Sequence, residues 1–336
     1  MSAREQRVPS APRPRPTRPP SSAAAVPIHP VHVAVCIATF RRPQMLGELL
    51  DSLGAMVYSG RAPRVSVLVV DNDAAESARD AVEAARGRLP LETEYLVEPE
   101  RNIALARNRG VARALELEVD FIAFVDDDEV VPPEWLERLL DAQARYEADA
   151  VCGNVIPRLC AEAPAWARGG LFAQTLPRSG TRIPVASTNN VLVKAGLLRD
   201  TSPPFDPAFG LTGSSDSLFF LRAAREGAKL VAAPEAVVEE HIPPTRSTAR
   251  WVMRRGFRVG NAALWCERAM PPDTRRLGDR VLKASLRMGA SAVMLPLGLL
   301  RGRAGVLRAF HGVCYGAGCL AALAGYRYAE YRELDR

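Results

Sequence analysis

Four acidic residues in a row, Asp126, Asp127, Asp128 and Glu129, follow the apolar run Phe121–Val125 in the stretch FIAFVDDDEVVPPEWL. Each pair of like charges about 4 Å apart costs on the order of 1 kcal/mol in water, and several-fold more near a protein surface. Such a run therefore needs a reason. If side chains keep alternating past the strand, Asp126 and Asp128 project to one side and Asp127 to the other. Two carboxylates on one side suit a divalent cation, because Mg2+ or Mn2+ is commonly held by one or two carboxylates together with substrate phosphates. The alternative is a solvated acidic loop before the helix PPEWLERLLDAQ, whose start favours acids and accepts Pro133. That alternative serves Glu129 and Glu134 but gives no reason for three aspartates at the strand end. Other polar residues stand at the ends of other apolar runs: Thr39 and Arg41 at the end of VHVAVCIATFR, and Asp71 and Asp73 after RVSVLVV.

The elements that must position these groups are legible from hydrophobic patterning. VHVAVCIATF reads as a strand, followed by a helix with Met45, Leu46, Leu49, Leu50 and Leu53 on one face. RVSVLVV, TEYLVE and FIAFV read as further strands, separated by helical segments at residues 74–88 and in NIALARNRGVARALEL. Strands alternating with helices predict an α/β fold, a mostly parallel sheet flanked by helices. Ligands bind such sheets at the carboxyl ends of the strands, so Thr39, Arg41, Asp71, Asp73 and the acidic run should meet in one crevice. No G-x-G-x-x-G follows the first strand and no phosphate-binding G-x-x-x-x-G-K-[ST] occurs. GAGCLA at Gly316–Ala321 follows no strand, and with Gly312 it reads as close helix packing through small residues.

The 336 residues are 48% hydrophobic and 24% charged, with a formal charge of +6 that is unevenly spread. Residues 1–30 carry +4 and residues 31–240 carry −9, whereas residues 241–336, with 17 basic and 6 acidic side chains, carry +11. The basic C-terminal residues are interleaved with apolar runs, which suits an anionic membrane surface and not nucleic acid. The six cysteines form no C-x-x-C pair or zinc spacing and read as reduced core residues. The N-terminus lacks an apolar signal region, and its Pro and Arg content predicts a disordered arm over residues 1–30.

VAVCIATFRRPQMLGELLDSL, VLVVDND, ERNIALARNRGVA and FIAFVDDDEVVPPEWL together resemble family 2 glycosyltransferases, enzymes of GT-A fold that use nucleotide-diphospho-sugars. The resemblance spans residues 31–240 and is nearest to bacterial enzymes of exopolysaccharide and lipid-linked oligosaccharide synthesis. It implies that Asp126 and Asp128 are a D-x-D motif. Asp128 would coordinate Mg2+ or Mn2+ on the diphosphate, and Asp126 would lie near the ribose or the metal. It further implies nucleotide contacts for Thr39, Arg41, Asp71, Asp73 and Arg107, and donor-sugar or acceptor contacts for Asn189 and Asn190 in STNNVLVKA. In FGLTGSSDSLFFLRAAREG, Asp216 matches the catalytic base. The family usually has Glu-Asp there, and this chain has Ser215-Asp216. One base and direct displacement imply inversion at the anomeric carbon.

After the catalytic region, His241 is a candidate metal or phosphate ligand, and STARW resembles the Q-x-x-R-W motif with Ser247 in place of Gln. Arg246, Arg250 and Trp251 are accordingly candidates for the acceptor or its diphosphate. Met288–Leu300 is too short to span a bilayer, and Ala309–Tyr326 is at the lower limit. Residues 241–336 are therefore expected to be a helical, membrane-associated region, peripheral or monotopic, at the cytoplasmic face of a bacterial inner membrane. The expected partners are a nucleotide-diphospho-sugar, a lipid-linked saccharide acceptor and anionic lipid. Two rivals stay open at this stage: a sugar nucleotidyltransferase, and a non-catalytic nucleotide-sugar-binding scaffold.

Overall fold

The computed structural model describes residues 30–168, 172, 175–210 and 212–329. The expected N-terminal arm lies outside these residues apart from Pro30. Strands β1 (His32–Thr39), β2 (Arg64–Asp71), β3 (Glu92–Val97) and β4 (Phe121–Val125) follow the four predicted strands. Helices α1 (Pro43–Gly54), α2 (Arg79–Arg86) and α3 (Ile103–Glu116) connect them. In β1, Val33, Val35 and Ile37 face the buried Leu46, Leu49, Leu50 and Leu53 of α1, whereas Ala34 and Cys36 face Ala104 and Val111 of α3. Both faces of the strand are thus apolar, as a parallel strand covered by helices on each side requires.

The second half contributes β5 (Glu129–Val130), α4 (Trp135–Tyr146), β6 (Ala150–Leu159), β7 (Asn190–Lys194), α5 (Ala195–Arg199), α6 (Ser215–Arg225) and β8 (Leu230–Ile242). The sheet has eight strands in the order β3-β2-β1-β4-β7-β6-β8-β5. Its first four strands are parallel, and β7 runs against both β4 and β6. This reversal matters for the site. Val125 pairs with Asn190, so the start of β7 lies beside the end of β4. The antiparallel pairing of Glu129 with Glu240 likewise brings the end of β8 to the acidic run.

Beyond β8 the chain is helical: α7 (Ala249–Arg268), α8 (Thr274–Val293), α9 (Leu295–Leu300) and α10 (Gly302–Leu323). The close helix packing expected from the small residues is present. A Cβ on Gly260 would lie 1.9 Å from the Tyr315 carbonyl oxygen, and one on Gly318 would lie 2.0 Å from that of Phe257, so α7 and α10 touch backbone to backbone. A Cβ on Gly312 would meet the Ser291 side chain, and one on Gly316 the Met288 side chain and the Ala284 carbonyl oxygen, so α10 also packs closely on α8. The segment Met288–Leu300 is divided between the end of α8 and α9. Helix α10 is long and apolar enough to cross a membrane, with mean hydropathy 1.4, yet one side of it is occupied by α7 and α8.

Candidate active site

The acidic run does not continue the strand. β4 stops at Val125, and a turn closed by Glu129 N–H to the Asp126 carbonyl (3.2 Å) redirects the side chains. The expected pairing of Asp126 with Asp128 on one side by strand alternation is therefore corrected. Asp127 and Asp128 share the Arg42 guanidinium, whose Nη1 lies 2.9 Å from an oxygen of each, and Thr39 Oγ1 donates to Asp127 at 2.8 Å. Asp126 turns instead to Arg107, 3.5 Å away, and its side chain remains 41% exposed. Desolvation pushes the Asp126 carboxyl up to about 7; Arg107 opposes this, and Asp128, Asp127 and Asp216 add to it. Burial also raises the Asp127 carboxyl, against the pull of Arg42.

Glu129 overturns the expectation that it serves the following helix. It sits fully buried on β5, with Oε2 accepting from Asp126 N–H at 2.9 Å and Oε1 without a partner. Burial, with Asp126 beside it, holds this carboxyl well above the usual range. Arg42 was missed in the sequence, where nothing separates it from its neighbour. In the fold Arg41 takes a left-handed conformation (φ 55°), and its side chain goes to Asp73 (2.9 Å) while Arg42 enters the acidic cluster.

Asp71 is corrected as a ligand contact. It is completely buried, and its oxygens accept from Asp73 N–H, Ala78 N–H and the Tyr95 hydroxyl, so it fixes the loop after β2. Asn72 and Asn102, not foreseen as site residues, extend that brace. Asn72 Oδ1 accepts from Asn102 N–H at 2.9 Å, and Asn102 Oδ1 caps α3 through Ala104 and Leu105 N–H. The signal was present in the sequence, since asparagine ahead of an apolar-periodic run is a helix N-cap. This cap fixes the start of the helix that carries Arg107.

Asn190 is also corrected. It has no exposed surface, accepts from Trp135 Nε1 at 2.9 Å, and donates to the carbonyls of Asn154 and Ala236 at 2.8 Å each. Its amide joins α4, β6 and β8 and is not open to a sugar. The residues just before it are better placed: Asn189 is half-buried, and Thr188 meets Asp216. Asp216 sits in the first turn of α6, with Oδ2 accepting from Thr188 N–H (3.2 Å) and Oγ1 (3.3 Å). The helix cap position is Ser214, not Asp216. Ser215 is fully buried, and its hydroxyl finds no partner among the described residues.

From the other side, His241 N–H donates to the Asp128 carbonyl at 2.8 Å, and Arg246 Nη1 reaches Asp128 Oδ2 at 3.1 Å. Arg250 is exposed at the start of α7, and Trp251 packs against Phe172, 5.7 Å between ring centroids. Both arginines on Asp128 use Oδ2, so Oδ1 is engaged by neither. The exposed Asp126 carboxylate and the Asp128 oxygen that neither arginine engages, ringed by Arg42, Arg107 and Arg246, fit a hard divalent cation carried with a diphosphate. Among the described residues no group of three or more His, Cys, Asp or Glu is arranged to hold a metal by itself. A cation held there would need phosphate oxygens or water to complete its shell.

The model of the family described as Glycosyl transferase family 2 matches residues 34–200. Over 236 residues the chain is 37% identical to the succinoglycan biosynthesis protein ExoM of Rhizobium meliloti (strain 1021), covering 70% of this chain and 75% of ExoM. The chain belongs to glycosyl transferase family 2. This family 2 glycosyltransferase is also 30% identical over 135 residues to the glucosyl-dolichyl phosphate glucuronosyltransferase of Haloferax volcanii, covering 40% of this chain and 41% of that one. In fold it is similar to the mannosyltransferase PcManGT of Pyrobaculum calidifontis, whose structure is in complex with GDP-Man and Mn2+. The TM-score is 0.61 at 17% identity, covering 89% of each chain. Family membership excludes the sugar nucleotidyltransferase and the non-catalytic scaffold as readings of the chain.

Proposed function

We propose that this glycosyltransferase moves a sugar from a nucleotide-diphospho-sugar to a hydroxyl of a lipid-linked saccharide, with inversion, in cell-surface polysaccharide synthesis. The observation that carries the reading is that Thr188, which hydrogen-bonds Asp216 at the start of α6, lines the same small cavity as Asp126 and Arg107. One carboxylate is oriented by Thr188 to take the acceptor's proton, while the others face the diphosphate side. The acceptor oxygen attacks the anomeric carbon as the bond to the diphosphate breaks, and its proton passes to Asp216. Arg42, Arg107 and Arg246 supply fixed positive charge where negative charge develops on the departing phosphate. Mg2+ or Mn2+ bound at Asp126 and Asp128 would add charge neutralisation there.

The polysaccharide context is supported by the name of ExoM, and the choice of a divalent metal by the Mn2+ in the PcManGT structure. Membrane association, at the cytoplasmic face, is supported by the basic C-terminal helices with their exposed apolar residues. Asp216→Asn is expected to lower transfer at least ~100-fold while leaving the thermal shift produced by nucleotide-sugar and Mn2+ intact. Asp128→Ala should abolish the metal-dependent part of that shift. Undiminished transfer by Asp216→Asn would remove Asp216 as the base.

A further inference from the structure

Away from the sheet rim, α6, α7, α8 and α10 line a solvent-open groove of about 360 Å3 whose wall carries five basic side chains and two acidic ones. Arg225 comes from the end of α6. Arg276, Arg280, Lys283 and Arg287 come from α8 at intervals of four, three and four residues, which places them on one narrow face of that helix. The Glu267 carboxylate is already used by Arg225, at 2.6 and 2.8 Å, and by Arg280 at 3.4 Å. Among the described residues neither Lys283 nor Arg287 is paired with a carboxylate, and Arg287 lies over the Tyr315 ring at 4.4 Å. Arg276 is held by Asp273 at 3.0 Å, so among the described residues the surplus positive charge of the groove rests on Lys283 and Arg287.

The next face round α8 is apolar and exposed. Leu282 and Leu286 lead into Val293, and the stripe continues through Leu297 and Leu300 of α9, with Val293 75% and Leu300 84% exposed. Arg301 and Arg303 follow it directly. A soluble phosphate needs only the basic groove, whereas an amphiphile needs both surfaces side by side. We propose that the groove binds the phosphate of an anionic lipid headgroup, with the lipid chains lying on the apolar face of α8 and α9. The inference rests on the reading that the C-terminal helices meet a membrane. Arg225 and Asp216 end the same helix, so the headgroup site lies about 14 Å from the catalytic base along α6, at 1.5 Å per residue.

The test is flotation of the whole chain with two kinds of vesicle, phosphatidylcholine alone and phosphatidylcholine containing phosphatidylglycerol. Flotation is expected with the anionic vesicles alone. Because each basic residue at an anionic surface contributes roughly fivefold in affinity, Lys283→Glu with Arg287→Glu should weaken binding at least ~20-fold. Arg61→Glu with Arg178→Glu, the same charge change at exposed positions of the catalytic domain, should stay within about twofold. Lys283→Ala, at an exposed position, should still weaken binding if the double variant fails to fold. Equal losses from the two double variants would overturn the site in favour of diffuse attraction. Flotation with both kinds of vesicle would overturn it while leaving membrane association standing, and flotation with neither would remove the membrane reading itself. Pyrophosphate that raises the melting temperature of the chain but not of Lys283→Glu/Arg287→Glu, without vesicle binding, would reassign the groove to a soluble phosphate.

Discussion

Asp126 and Glu129 are three residues apart and share a hydrogen bond, yet they face different surroundings. Asp126 is open to a ligand and opposed by Arg107, whereas Glu129 is sealed beneath it with one oxygen unsatisfied. Glu129 acts as a hydrogen-bond acceptor that positions the Asp126 backbone. Glu129→Gln keeps that acceptor and should leave the melting temperature within about 2 °C of the parent. Glu129→Ala leaves a buried N–H without a partner and should cost ~1–3 kcal/mol in chemical denaturation. Equal losses from both variants would mean that the charge of Glu129, not its hydrogen bond, is what the fold uses.

At the scale of elements, two features make measurable claims. His32 opens β1, and its Nε2 lies 2.9 Å from Ser66 Oγ of β2. Burial, with Arg64 nearby, lowers its pKa below the ordinary value, against weaker pulls from Glu92 and Asp120. The unfolded chain therefore takes up this proton more readily than the folded one as pH falls through about 6.5. Stability from this group is present above that pH and lost below it. Unfolding free energy should decline between pH 7.5 and 5.5, and His32→Gln should flatten that part of the profile. The glycines of the C-terminal helices give the second claim. Gly260→Ala places a methyl against the Tyr315 carbonyl and should cost ~1–3 kcal/mol. Gly47→Ala, in α1 with nothing within 4 Å of the added carbon, should stabilise by up to ~1 kcal/mol through helix propensity.

At the scale of the whole molecule, an acidic catalytic part with a net charge of −9 joins a C-terminal part of +11. The apolar surface of the C-terminal part is divided between two uses. Helix α10 spends its small-residue ridges on α7 and α8, so its hydropathy largely serves packing between helices. The exposed apolar stripe belongs to α8 and α9, and α8 carries too many charges to cross a bilayer. On the proposed peripheral attachment, alkaline carbonate should release the intact chain from membranes. Retention in the carbonate pellet would favour a spanning α10.

The sequence by itself determined the elements with strong local patterning. β1, β2, β3, β4 and α1 are legible because apolar period and strand-end polar residues are local properties. The acidic run stood out as chemistry because carboxylates after an apolar strand are unusual wherever they sit, whereas Asp216 entered only through the family resemblance. The tertiary structure decided which polar groups are open to a ligand. Asp71 and Asn190 resemble ligand contacts in the sequence, but long-range partners occupy them: Tyr95 for one, Trp135 and two backbone carbonyls for the other. Glu129 looked like a helix-start acid and became a buried strut because β5 pairs with β8, more than a hundred residues away. Arg42 was indistinguishable from Arg41 until a single left-handed residue separated their directions. A side chain's type is written in the sequence, whereas its access to solvent and partners depends on segments that meet only when the chain is folded.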